Sequence, residues 1–257
     1  MVNIEQILDP ISVNDFFKNY WKKKHLVLRR NKFKDLYSFN DLDKYLNQYP
    51  DIKSLQILNY DNKDTRWCLD KVKNGKLKLP MLSKQDVYDL WKQGKSFVIP
   101  FAEYQSKKLV DICFELEKYF ANGQVNVYAS PMANSKSFPA HADGTENFLF
   151  HVHGKVKWTL YKDFKNKDIL DEFVLEAGDL LYIPIGMYHK VETVGPRILL
   201  SIHFKNKDNQ SLDKFIIGGD NNRNKWYNWL PDLPQDKNKR PARLMNKARW
   251  SKPYFKL

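Results

Sequence analysis

The chain has 257 residues and carries 43 Lys or Arg against 30 Asp or Glu, a formal charge of +13. Such a length buries roughly 70 to 75% of its unfolded surface without covalent staples, and it fits one large domain or one domain with small additions. Only Cys68 and Cys113 are present, in unlike settings, which excludes a disulfide scaffold, and no apolar run approaches a membrane span.

The opening MVNIEQILDPISVNDFF lacks the basic-then-apolar order of a secretory signal, so a soluble, intracellular, cytoplasmic protein is expected. After Asp9-Pro10, the residues Val13, Phe16, Phe17, Tyr20 and Trp21 fall at i, i+3, i+4, i+7 and i+8. That spacing predicts an amphipathic helix, with Ser12 or Asn14 as its cap and Lys22 to Lys24 suiting its C-terminal dipole. His25-Leu-Val-Leu-Arg follows as a strand. A second helix is predicted at about Phe39 to Gln48. A third runs from Ser106 to Ala121, with Leu109, Ile112, Leu116 and Phe120 inward and Asn122-Gly123 as its stop.

From Gln124 the pattern changes to short strands, VNVYAS, ENFLFHVH, KVKWTLY, EFVLEA, DLLYIPI, HKVETV and RILLSIHF, separated by Gly, Pro, Asn and Asp. This predicts a sandwich or barrel, a mainly β fold with helical additions. Three regions result: a helical region over 1–123 with strands contributing to the barrel, a barrel core over 124–205, and a basic, aromatic segment over 206–257.

Five of the six histidines, His141, His151, His153, His189 and His203, fall within the barrel core. If Ala142 lies in a strand, the period of two turns His141 and Asp143 to one side. His189, after GDLLYIPIGMY, supplies a third ligand from a distant strand. Two histidines and one carboxylate form a facial triad that leaves metal positions open and suits non-haem Fe(II). His151, His153 and His203 stand open between packed or exposed residues and neighbours of the site.

NVYASP (126–131), FPAHADGTENF (138–148), GKVKW (154–158) and GDLLYIPIGMYH (178–189), with the helix at 13–21 and its following strand, resemble the JmjC and cupin-like oxygenases. Within that group the chain most resembles the ribosomal-oxygenase and asparaginyl-hydroxylase branch. The resemblance implies a double-stranded β-helix holding Fe(II) through His141, Asp143 and His189, with 2-oxoglutarate as co-substrate and O2 as oxidant. It implies oxidative decarboxylation to succinate and CO2, coupled to hydroxylation of a protein or peptide side chain.

In similar enzymes a basic residue two places after the glycine of G-x-K-x-W grips the distal carboxylate of the co-substrate; that position here is Val156. Strand alternation turns Lys155 and Lys157 away from the face of Val156, although a bulge would bring Lys157 inward. Arg197 is the preferred anchor, because period-two counting puts Arg197, Leu199, Ser201 and His203 on one face and the guanidinium fork matches a carboxylate. Prolyl hydroxylases resemble this arrangement. Asn147 matches an asparagine near the co-substrate in the asparaginyl-hydroxylase branch, and Asn126 and Tyr128 fall on a strand expected to line the pocket. Ser201 and His203 are candidates to touch the bound groups from behind.

Two other readings stay open. Val156 suits a metal-dependent cupin enzyme that does not use 2-oxoglutarate and works with another oxidant or a Zn(II)-bound water. From Asn221 onward, ten Lys or Arg against Asp232 and Asp236, interleaved with Trp226, Trp229, Trp250, Tyr254 and Phe255, suit RNA contacts. The second reading is accordingly an RNA- or tRNA-directed hydroxylase or a non-catalytic RNA-binding module. The segment equally suits a tail covering the barrel. The chain is too short to hold the further domains that follow the barrel in ribosomal oxygenases, which weakens a substrate read from that branch.

Overall fold

The computed structural model describes residues 2–47, 55–58, 71–73, 76–78, 84–120, 123–135, 137–163 and 168–204. The helices among them are α1 Ile4–Leu8, α2 Val13–Asn19, α3 Phe39–Leu46, α4 Lys84–Lys92 and α5 Lys107–Glu117. The strands are β1 Leu26–Leu28, β2 Gln56–Ile57, β3 Lys71–Lys73, β4 Lys76–Lys78, β5 Phe97–Ile99, β6 Gly123–Ser130 and β7 His141–Ala142. They continue as β8 Glu146–His153, β9 Lys155–Tyr161, β10 Ile169–Glu176, β11 Leu180–Ile183, β12 Tyr188–Thr193 and β13 Arg197–Phe204. The expected basic segment over 221–257 and Cys68 lie outside the described residues. No helix among the described residues is long and apolar enough to cross a membrane.

Two antiparallel sheets carry the fold, one ordered β1-β11-β8-β13-β6-β5-β2 and the other β10-β9-β12-β7. This is the double-stranded β-helix that the sequence resembles. Alternation gives the larger sheet two apolar faces. Phe148, Phe150, Val152, Val125, Val127, Ile198, Leu200 and Ile202 belong to an outer core under the helices. Leu149, Leu181, Ile183 and Leu199 instead join Val156, Trp158, Leu160 and Leu175 of the smaller sheet in an inner core between the sheets. The polar residues that alternate into that inner layer define the candidate site.

The helical wrapping starts from local capping signals. Ser12 caps α2 by accepting from the Asp15 amide, and Ser38 and Asp41 form a reciprocal box on α3. α1 was not anticipated, although Asn3 and Gln6 make the same reciprocal box in its first turn. α2 ends two residues earlier than predicted, and of its apolar stripe only Phe16 is fully buried. α5 begins after its cap Ser106 and stops at Glu117, while Phe120 still packs inward from beyond it. β1 pairs with β11 at the edge of the larger sheet, so the expected strand after α2 ties the N-terminal helices to the barrel.

Gly154 makes the tight turn between β8 and β9 with φ +74°. A Cβ there would lie 1.9 Å from the Pro196 carbonyl oxygen and 3.1 Å from the Arg197 Cα, so only glycine fits. The turn therefore sits directly against the start of β13.

Candidate metal centre

β12 pairs antiparallel with β7, placing His189 directly opposite His141. Asp143 lies one residue past β7 rather than within it, which departs from the strand argument for its direction. Its position is held instead by the Gly186 amide, which donates to the Asp143 carbonyl at 3.0 Å. The outcome is convergence: one ligand atom from each of His141, Asp143 and His189 lies within 4.8 Å of the others. His141 Nε2 is 3.5 Å from Asp143 Oδ1, and His189 Nε2 is 3.9 Å from Asp143 Oδ2.

Both imidazoles are braced from behind. His141 Nδ1 is 2.8 Å from the Pro139 carbonyl oxygen, and His189 Nδ1 is 3.0 Å from that of Met187. A carbonyl only accepts, so each Nδ1 carries a proton, and in the neutral ring Nε2 is then the nitrogen that can ligate a cation. Asn147 donates from Nδ2 to Asp143 Oδ2 at 2.9 Å and is itself contacted by Ser201 Oγ at 3.4 Å. Burial pushes the Asp143 carboxyl up, but the hydrogen bond from His141 and the nearby His189, His141 and His203 outweigh it and hold it well below the usual carboxylate range. Burial lowers the basicity of His189, partly offset by Asp143. Asp143 thus favours the ionised form and His189 the neutral form, the states that ligate a metal.

Exposure shows which way the site opens. The side chain of His189 is only 5% exposed, whereas those of His141 and Asp143 are 28% and 40% exposed. The centre is thus open on the His141–Asp143 side, while His189 packs against Trp158 at 5.6 Å between ring centroids.

The remaining candidates separate by face. Tyr128 packs against the inner core, and its ring lies 6.3 Å from Phe138, which in turn lies 5.7 Å from His141. Asn126, two residues before Tyr128 on β6, faces the same layer, pairs with Ser201 and accepts from Gln124. His203 sits close enough to Asp143 to help hold its charge. Arg197 is 2% exposed and donates from Nε to Ser130 Oγ at 3.1 Å.

Lys157 is a correction. It pairs with Glu172 at 3.0 Å on the outer face of the smaller sheet, and β9 runs opposite β12 without the register shift that would turn it inward. Val156 occupies the inner face, fully buried.

His151, open in the sequence between a packed residue and a neighbour of the site, is reached by counting by two from Asn147 through Leu149. It is 1% exposed, and Trp158 Nε1 donates to its Nε2 at 3.2 Å. His153, the last residue of β8, is exposed and packs edge-on against Phe39.

Replacing Asn147 with Ala is expected to weaken Mn(II) binding roughly 10- to 100-fold, because outer-shell partners of ligating carboxylates carry effects of that order. Calorimetric titration of the metal-free protein reads it; unchanged affinity would remove Asn147 from its bracing role.

Residues 96–212 match the JmjC domain. The bifunctional lysine-specific demethylase and histidyl-hydroxylase NO66 of Drosophila grimshawi is 30% identical over 211 residues, covering 73% of this chain and 28% of that protein. Ribosomal oxygenase 2 of Rattus norvegicus is 30% identical over 217 residues, covering 74% of this chain and 43% of its own length. The chain therefore spans less than half of either relative. Among solved structures, the Escherichia coli ribosomal oxygenase YcfD in complex with cobalt and 2-oxoglutarate superposes with a TM-score of 0.59 at 18% identity, covering 94% of this chain and 65% of that one. At that identity the likeness is one of fold.

Proposed function

Because the chain belongs to the JmjC family of Fe(II)- and 2-oxoglutarate-dependent oxygenases, we propose that it hydroxylates a side chain of a protein or peptide. The observation that carries this reading is the convergence of two imidazole Nε2 atoms and one carboxylate, each imidazole fixed by a backbone carbonyl and the carboxylate by Asn147. The donor set fits a divalent cation of borderline hardness and leaves coordination positions open. Fe(II) bound there, with 2-oxoglutarate and O2, supplies the oxidising power for C–H hydroxylation, releasing succinate and CO2.

The chain's own groups prepare the site. Asp143 stays ionised, burial favours the neutral form of His189, and a backbone carbonyl fixes each imidazole at Nδ1. Leu149, Val156, Leu160 and Leu199 belong to the apolar inner core between the two sheets. The half-open side at His141 and Asp143 admits a projecting side chain. Relatives named for lysine demethylation and histidyl hydroxylation favour a lysine- or histidine-bearing peptide as the first substrate class to test.

With Fe(II), ascorbate and O2, the purified chain is expected to convert 2-oxoglutarate to succinate, faster when such peptides are present and not at all when the metal is chelated. Proton NMR of the co-substrate follows the conversion. A chain that neither binds nor consumes 2-oxoglutarate under these conditions would overturn the reading.

A further inference from the structure

Arg197 and His151 leave two buried donors unmatched. Among the described residues the Arg197 guanidinium has no carboxylate partner: Nε is taken by Ser130 Oγ, itself 2.8 Å from Ser96 Oγ, while Nη1 is buried without an acceptor. Indole nitrogen only donates, so the contact from Trp158 requires His151 Nε2 to accept, which puts the proton of the neutral ring on Nδ1. That Nδ1 is buried and also lacks a partner. Burial, reinforced by the charge of Arg197, lowers the basicity of His151 to about 3 and keeps it neutral, and burial lowers that of Arg197 to about 10. Natural interiors rarely leave such groups unmatched, least of all a charge.

Two chains of ring contacts link these residues to the metal ligands. On one side Arg197 neighbours Tyr128, whose ring meets Phe138, which meets His141. On the other, His151 holds Trp158, which packs against His189. The Gly154 turn lies against Arg197, and Val156 follows two residues later, so the position that is basic in similar enzymes belongs to the same end of the inner layer.

We propose that Arg197 Nη1 and His151 Nδ1–H together form the receptor for the distal carboxylate of 2-oxoglutarate, with Ser130 orienting the guanidinium and Val156 leaving the space that a basic side chain on β9 would fill. The charge has moved from β9 to the start of β13. This inference rests on the reading of the site as a 2-oxoglutarate centre and adds which groups recognise the co-substrate.

The test is calorimetric binding under nitrogen to the full chain loaded with Mn(II), comparing 2-oxoglutarate with 2-oxopentanoate, which has the same carbon chain but no distal carboxylate. Wild type is expected to prefer 2-oxoglutarate. Arg197→Met is expected to lower 2-oxoglutarate affinity about 100-fold, the scale of a charge-assisted hydrogen bond. It should leave 2-oxopentanoate binding nearly unchanged. His151→Phe should show the same selective loss at roughly tenfold. Adding Val156→Lys to Arg197→Met should restore preference for the dicarboxylate. If Arg197→Met does not fold, Arg197→Lys and Ser130→Ala are read instead, each with a selective loss of about tenfold. Equal losses for both ligands, or none, would overturn the inference. A wild type that binds neither ligand would instead overturn the reading of the site itself.

Discussion

Asp143→Ala is expected to abolish Fe(II)-dependent succinate formation and, with it, the stabilisation that a divalent metal confers on the wild type. Asp143 is the only carboxylate in the three-residue cluster, and its oxygens lie 3.5 and 3.9 Å from the two histidine Nε2 atoms. Without it, two neutral imidazoles face one another with no anionic ligand to offset the charge of the ion. A metal at 100 times its dissociation constant stabilises the native state by about 2.7 kcal/mol. For a chain of this size that corresponds to a rise in Tm of roughly 5 to 11 °C. Differential scanning calorimetry with and without Mn(II) should show the rise in wild type and not in Asp143→Ala. An undiminished shift in the variant would place the metal elsewhere.

Phe16→Ala carries the largest expected effect on stability. Phe16 is fully buried, and its ring lies 4.9 Å from Tyr182, 5.7 Å from Phe148 and 6.4 Å from Phe120. It thus pins α2 to β8 and β11, the strands whose opposite faces carry Asn147 and the inner core. Removing such a ring from a packed interior costs about 3 to 5 kcal/mol, a large part of a typical native stability of roughly 5 to 15 kcal/mol. Urea or thermal denaturation should show the loss, with a fall in Tm of roughly 6 to 20 °C. Metal affinity of the protein that remains folded should be unchanged, because Phe16 belongs to the outer core. A cost under about 1 kcal/mol would mean that α2 is not anchored through this residue.

Period-two alternation on β13 was legible and put Arg197, Leu199, Ser201 and His203 on one face, because the direction of a side chain on a strand is a local property, whereas Asn126, Tyr128 and Asn147 followed from the family resemblance. The spacing at Val13, Phe16 and Phe17 marked α2 for the same reason, though only packing selected Phe16 as its anchor. Asp143 shows the limit. Its direction was inferred from a strand that ends one residue earlier, and the Gly186 amide from a distant turn sets its position instead.

What the sequence determined by itself is the candidate donor set, His141, Asp143 and His189, and the alternating faces on which the inner residues lie. Only the tertiary structure decided that His189 stands opposite His141, that Lys157 turns outward to Glu172, and that His151 comes to rest beside Arg197 with a second unmatched donor. Alternation fixes a side chain's face from its immediate neighbours, whereas distances between strands far apart in the chain depend on register and on the close approach of turns such as Gly154 to Pro196, which no local pattern encodes.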